Sequence, residues 1–264
     1  MTNSVLISKD SSGIATITMN KPDVHNAFDE VLIADLTRAV KQLDSDADVR
    51  IVILAANGKS FSAGADLGWM QKMSGYSEEE NLRDARLLAE LMASLDQMTK
   101  PTIARVQGSA FGGGVGLIAC CDIAVSVYDA KFALSEARLG LIPAVISPYV
   151  VSAIGARNAR RYFLTGERFD AERAMDMGLT HQLCYADELN STIEVIVDAL
   201  LECGPGAQTA CKYLIRQVQS GKNNSELIEW TAQQIAQVRS SHEGKEGISA
   251  FLEKRAPKWL KKRA

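Results

Sequence analysis

The chain has 264 residues, of which 47% are hydrophobic and 23% charged, with a formal net charge of -3 and a pI near 5.7. This balance lies far from that of a disordered chain, suffices for one main hydrophobic core, and gives no general attraction to nucleic acid or to an anionic membrane. Five cysteines without a CxxC pair suggest neither a disulfide framework nor a zinc knuckle. His25, His181 and His242 lie far apart with no HExxH spacing, so no metal site is expected. No basic flank precedes an apolar stretch at the start, and no apolar run approaches the roughly 18 residues that span a membrane. The expectation is a cytoplasmic protein with reduced thiols. The end of the chain departs from the acidic average: Lys254, Arg255, Lys258, Lys261, Lys262 and Arg263 form a basic tail, either a solvated helix end or a contact for phosphate groups.

In chain order, residues 4–8 and 14–19 read as β-strands around Lys9-Asp10-Ser11-Ser12-Gly13, an opening hairpin. After Lys21-Pro22-Asp23, the stretch 28–44 places Val31, Leu32, Leu36, Ala39, Val40 and Leu43 at helical spacing. Ile51-Val52-Ile53-Leu54 is a continuous apolar run of strand length. A loop over 56–66, helical sequence through 67–98, a strand at 102–106, a glycine-rich turn, a helix at 113–120 and a strand at 122–127 follow. Strands alternating with helices imply parallel pairing through crossover connections, with both faces of the sheet covered. Beyond Pro143 the pattern predicts helices at 146–154, 157–164, 171–176, 187–202, 206–219, 225–240 and 245–254. The chain is therefore α/β, divided into a core over 1–186 and a helical region over 187–264 that forms a layer or lid.

Two turns draw attention, Ser62-Ala63-Gly64-Ala65-Asp66 and Phe111-Gly112-Gly113-Gly114-Val115-Gly116, because each follows a predicted buried strand and opens a helix. The N–H groups there lack intrahelical partners, and α/β proteins place ligands at such ends. Tight packing of helix on strand is the other reading of the glycines. A dinucleotide fingerprint fails, since Leu117 stands where a third glycine is required, and no GK[ST] follows.

The segments Phe61-Ser62-Ala63-Gly64-Ala65-Asp66-Leu67, Pro101-Thr102-Ile103-Ala104, Phe111-Gly112-Gly113-Gly114, Cys121-Asp122-Ile123-Ala124, Phe132-Ala133-Leu134-Ser135-Glu136, Leu139-Gly140-Leu141-Ile142-Pro143 and Ile154-Gly155 resemble, in order and spacing, the motif set of the enoyl-CoA hydratase/isomerase, or crotonase, family. The resemblance covers essentially the whole chain. It implies a crotonase-like fold of repeated ββα units in a spiral core with a C-terminal helical region. It also implies an oxyanion hole made by the N–H groups of Ala65 and Gly113, which favour the negative charge that develops on a thioester oxygen. Residues Lys21, Ala27, Ala63, Ala65, Asp66, Leu67, Gly68 and Gly113 become candidate contacts for the coenzyme A (CoA) moiety, with no cofactor beyond the CoA of the substrate. A homotrimer or a dimer of trimers is implied as well, with oligomer contacts made by the helical region over 187–264.

The carboxylates bear on the reaction. Hydratases of the family commonly use two glutamates, and at the two corresponding positions this chain has Gly116 and Glu136. Glu136 is then the candidate catalytic acid/base, with a surface ion pair to Arg138 as the other reading. Asp122 and Asp66 read as structural, and Trp69, Met70 and Met73 as core packing or as an acyl-pocket wall.

The segments 111–117, 120–122, 134–136, 140–144 and 251–255, together with Ala65-Asp66-Leu67-Gly68-Trp69-Met70, are similar to the bacterial methylglutaconyl-CoA hydratases of leucine degradation. That likeness implies addition of water across the α,β-double bond of 3-methylglutaconyl-CoA; separately, Arg138 is a candidate partner for the distal carboxylate of that substrate. A lone glutamate also suits a Δ3,Δ2-enoyl-CoA isomerase. Readings from other classes are a non-catalytic CoA-binding protein and an RNA-binding protein, the latter opposed by the acidic average.

Overall fold

The computed structural model of the protein describes residues 3–221 and 224–260. Strands β1 (Val5–Lys9) and β2 (Ile14–Met19) form the expected antiparallel hairpin, which closes on Gly13 at φ 86°. Helix α1 (Glu30–Ser45) is capped by Asp29, whose carboxylate accepts the Leu32 N–H at 2.8 Å, and buries Leu32, Leu36, Ala39, Val40 and Leu43 on one face. Strand β3 (Ile51–Ala56) is buried along its length. It is followed by β4 (Ser60–Ser62), α2 (Leu67–Met73), α3 (Glu78–Asp96), β5 (Thr102–Val106), β6 (Ser109–Phe111), α4 (Gly113–Cys120), β7 (Ile123–Val127) and β8 (Lys131–Ala133). The rest comprises α5 (Ser147–Thr165), β9 (Arg168–Asp170), α6 (Ala171–Met177), β10 (Gln182–Cys184), α7 (Leu189–Glu202), α8 (Pro205–Ser220), α9 (Ser225–Ser240) and α10 (His242–Leu252).

Two sheets organise the core. The larger has the order β1-β2-β3-β5-β7-β10, parallel from β2 onwards, and the smaller has the order β4-β6-β8-β9, parallel except for β9. The pairs β3/β4, β5/β6 and β7/β8 each contribute a strand of five or six residues to the first sheet and a three-residue strand to the second, and β9 and β10 add one three-residue strand to each. That two-sheet spiral, with helices laid over it, is the arrangement of repeated units in a spiral core that the sequence resemblance implied.

Several elements depart from the sequence expectation. The helical stretch 67–98 is two helices, because Ser77 and Glu80 form a reciprocal capping box that starts α3 afresh. The helices expected at 146–154 and 157–164 run into each other, separated only by Gly155 at φ 74°. Residues Leu189, Ile193 and Val197 of α7 belong to the same hydrophobic core as the sheet. The following helices keep large apolar side chains exposed, among them Ile228, Phe251 and Leu252. Asp122 takes the Thr102 N–H and hydroxyl at 2.7 and 2.9 Å and pairs with Lys212 of α8 at 2.5 Å, so it ties the helical region to the start of β5. Among the described residues, no helix is long and apolar enough to cross a membrane.

Candidate active site

The first turn is shaped by the chain before it. Asn26 is fully buried in a left-handed conformation at φ 53°. Its side-chain oxygen accepts the Lys21 N–H at 2.9 Å, and its amide donates to the carbonyls of Asn57 and Ser60 at 2.8 and 2.9 Å. Held in this way, the following residues pair with the turn: Ala63 N–H donates to His25, Phe28 N–H to Gly64, and Asp66 N–H to Phe28, at 2.9, 2.7 and 2.8 Å. Asp66 then caps α2, accepting the N–H groups of Gly68 and Trp69 at 2.8 and 3.1 Å. Between these bonds, the Ala65 N–H donates to no protein acceptor among the described residues.

The second turn lies against the first and requires its glycines. A Cβ on Gly113 would stand 2.6 Å from the Phe28 ring, and one on Gly114 would stand 2.8 Å from the Ser62 Cβ. Gly112, at φ 50°, faces Glu136: a Cβ there would lie 3.1 Å from the Glu136 Oε1. The Gly112 N–H donates to Ala133 at the end of β8, at 2.9 Å, so the strand that leads to Glu136 is locked to the start of α4. Gly113 opens α4, where the helix dipole is positive, and its N–H is likewise unclaimed among the described residues.

Glu136 starts a short 3-10 turn, Glu136–Leu139, that ends on Gly140 at φ 72°. Its Oε2 is buried without a hydrogen-bond partner among the described residues, and burial pushes the carboxyl above the usual glutamate range. A carboxylate held this way retains a lone pair and a raised proton affinity, as an acid/base group requires. Ala65, Gly113 and Glu136 all line one cavity of about 720 Å³, whose other walls include Phe28, Trp69, Met73, Leu88 and Ile146.

The model of the family described as enoyl-CoA hydratase/isomerase matches residues 9–262. The chain belongs to the enoyl-CoA hydratase/isomerase family. An enoyl-CoA hydratase from Shewanella pealeana has the same fold, with a TM-score of 0.94 and 45% identity over 97% of this chain and 96% of that one. An enoyl-CoA hydratase of Alternaria alternata is 33% identical over 91% of this chain and 78% of its own length. A trans-2-decenoyl-[acyl-carrier-protein] isomerase of Streptococcus mutans is 27% identical over 95% and 96%. Hydratases and isomerases thus both occur among the relatives of this chain.

The remaining expected site residues divide. Ala63 and the exposed Leu67 line the cavity with Ala65 and Gly113, whereas Lys21, Ala27, Asp66 and Gly68 are not on its wall. Lys21 is engaged with Asp29 at 2.5 Å, and Ala27 is buried. Arg138 is corrected on both counts. It forms no ion pair with Glu136 and is not on the cavity wall; its side chain packs over Gly166 and points its Nε at the Thr165 carbonyl, 3.5 Å away. In the basic tail, Arg255 is spent on Glu246 and Glu253, at 2.6 and 2.7 Å. Lys261, Lys262 and Arg263 lie outside the described residues.

The position of the missing glutamate has a physical explanation. A Cβ on Gly116 would stand 2.3 Å from the Ile146 Cγ2, 2.8 Å from its Cβ and 3.3 Å from the Met92 Cε. The branched carbon of isoleucine cannot swing away as the end of a flexible chain does. Ile146 therefore occupies the volume a second glutamate would need, and the cavity wall there is apolar. A carboxylate that sequence reasoning did not single out does line the cavity: Asp84 of α3, whose Oδ1 accepts the Trp69 indole N–H at 3.2 Å. The 15-residue separation of Trp69 and Asp84, across the break between α2 and α3, leaves no local pattern to reveal the pair.

Proposed function

We propose that the protein hydrates the α,β-double bond of an enoyl-CoA thioester with Glu136 as its acid/base group. The observation that carries this reading is the buried Oε2 of Glu136, without a partner, in the same cavity as the unclaimed N–H groups of Ala65 and Gly113. With the thioester oxygen on those two donors, Glu136 takes a proton from water as the water oxygen bonds to the β-carbon. The π-electrons move to the thioester as an enolate, whose oxygen the donors stabilise. Glu136 then returns the proton to the α-carbon, so that water has been added and the carboxylate restored. One such donor is worth about 3–4 kcal/mol of barrier.

For the substrate we propose 3-methylglutaconyl-CoA, which gives 3-hydroxy-3-methylglutaryl-CoA in leucine degradation. The likeness of residues 65–70, 111–117 and 134–136 to that hydratase group supports it, as does the apolar Ile146, which suits a branched β-carbon. No cofactor is needed beyond the CoA of the substrate. The exposed Ile228, Phe251 and Leu252 suit a homotrimer or dimer of trimers formed in the cytoplasm. A second reading, Δ3,Δ2-enoyl-CoA isomerisation, draws on the single well-placed glutamate, which would carry one proton between two carbons.

A panel of crotonyl-, 3-methylcrotonyl-, 3-methylglutaconyl- and 3-enoyl-CoA in oxygen-18 water separates these readings. Hydration places the label in the product hydroxyl, fastest with 3-methylglutaconyl-CoA. Conversion of the 3-enoyl thioester without label, and none of the others, would replace hydratase by isomerase.

A further inference from the structure

One cavity is lined both by the two glycine turns and by Trp69, Asp84 and Leu88 of α2 and α3, so Asp84 shares a wall with the site where the thioester oxygen would rest on Ala65 and Gly113. Among the described residues the wall carries no lysine, arginine or histidine; Asp84 and Glu136 are its charged groups. Among the described residues no cation acts on the Asp84 carboxyl, and the nearest on its own helix, Arg83 and Arg86, are exposed to solvent. From α2, the Trp69 indole donates to it. From α1, Glu30 adds negative charge and is itself held by the Tyr76 hydroxyl at 3.2 Å and by Lys72 at 3.4 Å. On its own helix, Glu80 is engaged with Ser77, and Arg83 is exposed to solvent.

A carboxylate arriving on the acyl tail would meet a second carboxylate with nothing to neutralise either, and two such groups in one site do not both stay ionised. We propose that Asp84 sorts acyl tails by charge: a tail ending in a carboxylate binds together with one proton, shared between that carboxylate and Asp84, whereas an uncharged tail binds without proton uptake. The inference rests on the acyl-CoA reading of the cavity and adds a specificity residue to it. Burial and the neighbouring Glu30 already hold the Asp84 carboxyl above the usual aspartate range against the opposing indole bond, which eases protonation. Trp69 acts as the positioning residue, fixing one oxygen and leaving the other for the tail.

The test uses two saturated thioesters that cannot be hydrated, glutaryl-CoA and its uncharged counterpart valeryl-CoA. Their dissociation constants are measured by calorimetry between pH 6 and 8 in buffers of differing ionisation enthalpy. The account expects the ratio of the glutaryl-CoA to the valeryl-CoA dissociation constant to rise severalfold per pH unit, up to about tenfold for one linked proton. It also expects close to one proton taken up with glutaryl-CoA and none with valeryl-CoA. Asp84→Asn, which retains an acceptor for the Trp69 indole, should flatten the ratio and tighten glutaryl-CoA binding at pH 8. A pH-independent ratio in the wild type, or the same slope in Asp84→Asn, overturns the proposal. Failure to hydrate 3-methylglutaconyl-CoA with the linkage intact would instead remove that substrate and leave the role of Asp84 standing.

Discussion

Replacing Gly116 by glutamate restores the residue that two-carboxylate hydratases carry, yet it should damage this protein. The new Cβ would lie 2.3 Å from the Ile146 Cγ2, an overlap neither backbone nor a β-branched side chain relieves. Overpacking of that kind costs about 1–3 kcal/mol. Burying the carboxyl beside an apolar wall adds about 1.4 kcal/mol for each unit by which its pKa must rise, so about 3–6 kcal/mol in all is expected. At about 2–4 °C per kcal/mol for a chain near this size, thermal unfolding should move down by about 6–24 °C. Ile146→Ala alone should cost about 2–5 kcal/mol by opening a cavity. In the double variant the glutamate fills part of that hole, so the two changes together should cost at least about 1 kcal/mol less than their sum. Urea and thermal unfolding of the four proteins measure this cycle. A Gly116→Glu protein that melts within about 2 °C of the wild type, or strict additivity in the double variant, would refute the steric reasoning.

Two further outcomes follow from the same geometry. Burial raises the Glu136 pKa, so the folded chain binds a proton there more tightly than the unfolded chain does, and ionising it costs stability as pH rises above the unfolded value. Glu136→Gln should therefore melt higher than the wild type at pH 7, with the difference shrinking as pH falls below the ordinary glutamate range; a difference independent of pH would contradict it. Asn26→Ala removes three hydrogen bonds made by a fully buried side chain and should lower the urea stability by about 3 kcal/mol. Hydration by the folded fraction should fall too, because the pairing of Phe28 with Gly64 and Asp66 orients the Ala65 N–H.

What the sequence revealed depended on the range of the interactions involved. The long parallel strands were legible because a strand covered on both faces must be a continuous apolar run, as Ile51-Val52-Ile53-Leu54 is. The three-residue strands of the second sheet were not, since pairs such as Ala110 with Phe132 carry no periodicity of their own. The break before α3 did have a local signal, Ser77 followed three residues later by Glu80, but apolar spacing continued across it. At the site, the glycine turns and Glu136 stood in recognisable local patterns. The reason for Gly116 did not, because it lies in Ile146, 30 positions away in the chain. Asn26 was equally hidden: its left-handed backbone and its bonds to Asn57 and Ser60 are consequences of tertiary structure.

The central claim is that Glu136 moves the proton while Ala65 and Gly113 hold the enolate oxygen. Single-turnover hydration of 3-methylglutaconyl-CoA and crotonyl-CoA by Glu136→Gln tests it most directly, with binding of each thioester measured alongside. The account predicts a rate lowered by about a hundredfold or more, as loss of an acid/base group entails, with thioester affinity close to that of the wild type. Hydration surviving within about tenfold of the wild-type rate would contradict it and take Glu136 out of the reaction.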